Sequence, residues 1–110
     1  MAEKGFKRKL TAILSADVEG YSRLMEDNEE ETIQTLNAYR NSISTLIPQH
    51  RGRLVDMTGD NLMADFSSVV DAVKCAVETQ KEMGKRNADL PENRRMLFRI
   101  GVNLGDIVAV

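Results

Sequence analysis

Two acids stand where their neighbours would not lead one to expect them. Asp17 sits near the end of the apolar run Leu10–Val18 (LTAILSADV), and Asp60 lies in the polar break Thr58-Gly59-Asp60-Asn61 between two short apolar runs. Carboxylates brought together repel unless a proton or a cation sits between them, and hard divalent ions such as Mg²⁺ or Mn²⁺ prefer carboxylate oxygens. Directly after Asp17, the segment Val18-Glu19-Gly20-Tyr21-Ser22 turns from a strand towards a helix, and the backbone N–H groups of a helix start suit a phosphate. Metal plus phosphate is the chemistry these residue types imply. Singly, each acid also has a plain structural reading, since Asp is common in Gly-Asp turns and as a helix cap after a strand.

The elements that must bring the two acids together follow from periodicity. Leu10–Val18 is short and apolar, ends at a charge and is followed by Gly20, which favours a buried strand. Ile33, Leu36, Tyr39, Ile43, Leu46 and Ile47 then recur at helical steps, the acidic run Asp27 to Glu31 suits the helix start, and Pro48 is expected to end it. Arg53–Met57 and Leu62–Phe66 flank the Gly59-Asp60 break and predict a β-hairpin. Ser67 or Ser68 can cap a second helix whose stripe is Val69, Val70, Val73, Ala76, Val77, Gln80 and Met83, with Gly84 and Asn87 at its end. From Met96 every second residue is apolar through Leu104, the period of a half-buried strand, and Gly105-Asp106 reads as a turn into Ile107–Val110. The order is βαββαβ with one further strand beginning: an α+β, ferredoxin-like (palm-type) sheet with its helices on one face. In such a sheet the hairpin strands pair near the first strand, so Asp17 and Asp60 are expected to face each other.

Composition narrows the function classes. The 110 residues, 12.3 kDa, 42% hydrophobic and 29% charged, have room for one small domain. A net charge of -2, with no basic stripe beyond Lys4, Lys7, Arg8 and Lys9, argues against nucleic acid or an anionic membrane as a partner. Cys75 is the single cysteine, which excludes an internal disulfide and fits a reducing compartment. No apolar run approaches the ~18 residues of a membrane span and no signal-peptide core is present, so a cytoplasmic location is expected, with no membrane contact from this segment. Ile107–Val110 carries no polar tail, and residues 1–110 are expected to be the N-terminal portion of a longer domain. His50 reads as a solvated residue, Cys75 as lying on the flank of its helix stripe, and the six Met as core filling, while Asp65 and Asp106 receive no role.

Three segments carry a resemblance. Ala16-Asp17-Val18-Glu19-Gly20-Tyr21-Ser22 resembles the first metal motif of the class III nucleotide cyclases, the adenylate and guanylate cyclase family, loosely D-[IV]-x-G-[FY]-[ST]. Gly59-Asp60-Asn61-Leu62-Met63-Ala64-Asp65-Phe66 is similar to the family's hairpin G-D-x-x-[ML]-A-x-F, and Arg99-Ile100-Gly101-Val102-Asn103-Leu104-Gly105 to its later strand R-I-G-[IV]-[HN]-x-G. The resemblance implies that Asp17 and Asp60 bind two Mg²⁺ or Mn²⁺ ions, that the Val18 carbonyl adds a ligand, and that Glu19, Gly20, Tyr21 and Ser22, with Gly59, contact the substrate triphosphate. It further implies conversion of ATP, or GTP, to a 3′,5′-cyclic nucleotide and pyrophosphate by two-metal phosphoryl transfer, in sites shared by a head-to-tail homodimer.

Two departures accompany the match. The family commonly carries a purine-recognising Lys three residues before the hairpin Gly; Asp56 stands there, an acceptor-only anion when ionised. The family's ribose-orienting Asn and transition-state Arg lie C-terminal to the strand beginning at Ile107, so these residues are expected to hold the metal half of a site. The rival reading is a non-catalytic module of the same fold that dimerises or binds nucleotide or metal, and Asp56 favours it. An RNA-binding sheet is a weaker alternative, since the strands show no exposed aromatic pair.

Overall fold

Alternation along β1 (Lys7–Val18) sets the architecture: Ala12, Leu14, Ala16 and Val18 are buried, while the intervening Ile13, Ser15 and Asp17 face the other side. The computed structural model describes residues 7–109, with side-chain surroundings for residues 10–105. The strand is followed by α1 (Tyr21–Asp27), α2 (Glu29–Gln49), the hairpin β2 (Gly52–Thr58) and β3 (Asn61–Phe66), α3 (Val69–Asn87), a single 3-10 turn (Glu92–Arg94) and β4 (Phe98–Ala109). The sheet has four strands in the order β2-β3-β1-β4, with every neighbouring pair antiparallel. This is the expected α+β, ferredoxin-like arrangement.

The helices cover one face. Leu36, Tyr39, Ile43 and Ile47 of α2, and Ala72, Cys75 and Met83 of α3, pack with Leu14, Leu62, Ala64, Phe66 and Phe98 of the sheet. A Cβ on Gly52 would fall inside the ring of Phe66, its cross-strand neighbour, so this glycine is required by close approach.

Several expectations need correction. The predicted single helix is two: Asn28, in extended conformation, interrupts it and caps α2 by accepting from the Glu31 amide at 3.0 Å. Glu29, Glu30 and Glu31 occupy the first turn of α2, as the acidic run predicts. Pro48 lies inside the last turn rather than after it, where only one ladder bond is lost before the helix closes at His50.

The stripe assigned to α3 is rotated. Val69, Val70, Val73 and Val77 are exposed, and the buried row is Asp71, Cys75, Thr79, Met83 and Asn87, each four residues from the next. Polar anchors at the two ends set this phase. Arg51 donates twice to the Asp71 carboxylate, at 3.1 and 2.7 Å. Asn87 exchanges hydrogen bonds with the backbone of Met96 and accepts from the Tyr39 hydroxyl at 2.8 Å. Ala72, Cys75 and Thr79 are small enough to lie close to the sheet between those anchors, so Cys75 is fully buried rather than on a flank.

Gly105-Asp106 forms no turn. β4 runs through it to Ala109, because the long β1 supplies pairing partners as far as Lys7. A Cβ on Gly105 would meet the Ile13 side chain at 3.0 Å, so the glycine serves packing. Of the six Met, Met83 and Met96 fill the core but Met57 and Met63 are exposed. Lys4 and Val110 lie outside the described residues.

Candidate metal centre

The face of the sheet opposite the helices carries the polar residues of the alternation. A cleft of about 650 Å³ opens on it, lined by Ser15, Asp17, Asp56, Met63, Arg99 and Gly101 among others. Register accounts for this grouping: Asp17 lies across from Arg99, Ser15 across from both Gly101 and Met63, and Met63 across from Asp56.

The β2–β3 hairpin brings Asp60 to the end of β1 that carries Asp17. The β2–β3 turn is Gly59-Asp60, with Gly59 at φ 58°, a left-handed conformation in which any other residue is strained. Arg40 of α2 donates to the Gly59 carbonyl at 2.7 Å and to Asn37 at 2.9 Å, tying the hairpin tip to the helix layer. Asp60 Oδ2 then accepts the backbone N–H of Val18 at 3.1 Å, so its carboxylate rests on the peptide that follows Asp17. On the other side, Arg99 Nε donates to Asp17 Oδ1 at 2.8 Å. The hydrogen bond to Asp17 and its negative charge push the Arg99 guanidinium above its ordinary pKa, and Glu19 and Asp60 add to the effect. Asp17, Glu19 and Asp60 thus act together on the guanidinium of Arg99.

Among the described residues no cluster of three or more His, Cys, Asp or Glu side chains could hold a metal. Two carboxylates with a neighbouring backbone carbonyl still suit Mg²⁺ or Mn²⁺. Such an ion keeps several waters and takes one or two protein carboxylates plus phosphate oxygens, rather than an all-protein cage. Each carboxylate also has one oxygen, Asp17 Oδ2 and Asp60 Oδ1, outside the hydrogen bonds just described. The residues fit the ion.

The predicted phosphate contacts are only partly available. The Glu19 amide already donates to the Leu97 carbonyl at 2.8 Å and the Val18 amide to Asp60, so neither is free. Gly20, at φ 66°, starts α1 without a side-chain cap, which leaves the first-turn amides of Gly20, Tyr21 and Ser22. The Tyr21 side chain packs against the core and that of Ser22 is exposed.

Asp56 reaches the cleft through a β-bulge. Leu54 pairs with Ala64 but Asp56 with Met63, so the extra residue, Val55, shifts the alternation and puts Asp56 on the open face. Without it, Asp56 would oppose buried Leu62. Sequence reasoning missed Arg99 and Arg40 as site residues. Arg99 was visible inside the third motif, and its place opposite Asp17 needed the β1–β4 register; nothing marked Arg40. Asp65 pairs with Arg53 at 2.8 Å, and His50 ends α2.

Residues 7–110 match the family model for the adenylate and guanylate cyclase catalytic domain. The chain is 46% identical over 109 residues to "Putative adenylate cyclase 3" of Rhizobium meliloti, covering 98% of this chain and 19% of that protein. Among solved structures, it is similar to an adenylate/guanylate cyclase/hydrolase from Silicibacter pomeroyi, with TM-score 0.84 and 44% identity over 94% of this chain and 60% of that one. The guanylyl cyclase Cya2 follows with TM-score 0.82 and 27% identity, over 94% of this chain and 58% of that one. The chain therefore spans about a fifth of the curated relative and three-fifths of the first of these structures.

Proposed function

The chain belongs to the family of adenylate and guanylate cyclase catalytic domains, and we propose that it supplies the metal-binding half of a site that converts ATP or GTP to a 3′,5′-cyclic nucleotide. The observation that carries this reading is the Asp60 carboxylate seated on the amide next to Asp17, and Asp17 itself lines a cleft large enough for a nucleotide. Asp17 and Asp60, with the Val18 carbonyl, would hold two Mg²⁺ or Mn²⁺ ions. When bound, these would supply positive charge at the triphosphate and make the ribose 3′-hydroxyl a stronger nucleophile.

The chain's own residues orient the substrate. The amides of Gly20, Tyr21 and Ser22 point the positive end of α1 at the triphosphate, and the open sheet face supports the rest of the nucleotide. The Val18 N–H to Asp60 hydrogen bond, with Arg40 holding the Gly59 carbonyl, would fix Asp60 relative to the end of β1, the positioning that in-line displacement requires. The ribose-orienting Asn and transition-state Arg would come from sequence C-terminal to these residues, in a second protomer packed head to tail. Among the described residues, no helix is long and apolar enough to cross a membrane.

Calorimetric titration with Mn²⁺·ATP tests the reading. Binding by the chain and none by a folded Asp17→Ala, Asp60→Ala double variant is the expected result, and equal binding by the two overturns it. Chromatography of the same mixture for cyclic nucleotide separates catalysis from the second reading, a nucleotide- or metal-binding dimerisation module. Asp56 in the cleft favours that second reading, because an anion takes the family's usual Lys position.

A further inference from the structure

Among the described residues, Arg99 is the cation hydrogen-bonded to Asp17, and its manner of attachment differs from that of Arg53 on the same sheet. Two rows along the open face, Arg53 grips Asp65 through two nitrogens, at 3.4 and 2.8 Å, a fork geometry that fixes both partners. Arg99 touches Asp17 through Nε alone, at 2.8 Å, and among the described residues its two terminal nitrogens make no hydrogen bond. Its side chain is 65% exposed, lines the cleft and stands directly across from Asp17 in the β1–β4 register. The backbone therefore fixes where Arg99 starts, while one hydrogen bond and a solvated side chain leave the guanidinium free to swing.

We propose that Arg99 is the built-in counter-ion of the site: from its hydrogen bond to Asp17 Oδ1 it neutralises and orients Asp17 before metal arrives, and its charge opposes a divalent ion that binds the remaining oxygen, Oδ2. The inference rests on the reading of Asp17 and Asp60 as metal ligands. Without a counter-charge, Asp17 and Asp60, whose carboxylate rests on the amide next to Asp17, would repel each other at this end of β1. A divalent ion on Asp17 brings two positive charges within a few ångströms of the guanidinium. At about 5 Å in a water-like medium that repulsion lowers metal affinity about tenfold. Arg99 would thus set the metal concentration at which the site loads. It is a positioning residue, acting through Asp17.

The test is Mn²⁺ titration of the chain at low salt, followed by the electron paramagnetic resonance of free Mn²⁺, with circular dichroism confirming each fold. Arg99→Gln keeps a hydrogen-bond donor and removes the charge, and should bind Mn²⁺ about tenfold more tightly, whereas Arg99→Lys should stay within about twofold of the parent. A purely structural role cannot produce tighter binding. Equal or weaker binding by Arg99→Gln overturns the counter-ion role. Asp17→Asn and Asp60→Asn separate the two readings. If they lose Mn²⁺ while Arg99→Gln is unchanged, the counter-ion role alone fails. If they bind as the parent does, the metal reading fails, and absence of Mn²⁺ uptake by every folded variant overturns both.

Discussion

The two faces of the sheet are made by the same strands, residue by alternate residue, yet they differ in kind. The covered face holds Ala12, Leu14, Ala16, Leu62, Ala64 and Phe66, all 4% exposed or less, while the open face holds Ser15, Asp17, Asp56, Met63, Arg99 and Gly101. One face carries the core and the other the residues of the candidate site. A period of two lets a short strand do both, because neither set of side chains constrains the other beyond the shared backbone.

That division is open to attack from either side. The largest effect belongs to the covered face: Phe66→Ala should lower the unfolding free energy by about 3–5 kcal/mol in urea titration, since the ring is fully buried between sheet and helices. A loss under about 1 kcal/mol would mean that the core does not rest on this face. Gly52→Ala pushes a methyl into the same ring and should cost about 1–3 kcal/mol by the same measurement, with no change in Mn²⁺ binding.

On the open face, Asp56→Lys should leave stability within about 0.5 kcal/mol and shift relative binding of ATP over GTP by about tenfold towards ATP. An ionised carboxylate only accepts hydrogen bonds, and guanine presents N1–H and N2–H donors where adenine has an acceptor at N1. An unaltered ratio in competition binding would show that the base is read elsewhere. Tyr39→Phe is the smallest, about 1 kcal/mol at neutral pH, from the lost hydrogen bond to Asn87. Burial pushes the Tyr39 phenol above its ordinary 10.0, so the folded state favours the neutral form. Its contribution is complete below pH 10 and fades as pH rises past the folded value, so the gap between parent and variant should narrow in alkali.

The open face was the more legible of the two in sequence, for a physical reason. An acid inside an apolar strand or a tight turn is conspicuous, which is how Asp17 and Asp60 stood out, and the βαββαβ order followed from spacing apart from the break at Asn28 and the expected turn at Gly105-Asp106. What sequence could not supply was phase and register. The bulge at Val55 that turns Asp56 into the cleft leaves no mark in residue type. The rotation of α3 was decided by Asp71 and Asn87 at its ends, whose partners Arg51 and Met96 are distant or lie in other elements, against the larger apolar surface of its valines. Hydrophobic periodicity weighs side chains one helix at a time and gives no weight to such anchors. Arg99 was in plain view as part of a motif, but became a partner of Asp17 only once β4 lay beside β1.

The bulge has a second consequence, for how the sheet can grow. An outer strand with a regular ladder is a template for another chain, and an irregular one is a poor template. β2 is one outer strand, and at Val55 its backbone slips out of step, with the charged Arg53 and Asp56 on either side. β4, at the other edge, pairs with β1 in unbroken register over twelve residues. Any strand that joins this sheet is therefore steered to β4, and accidental stacking of copies into fibrils is discouraged at β2.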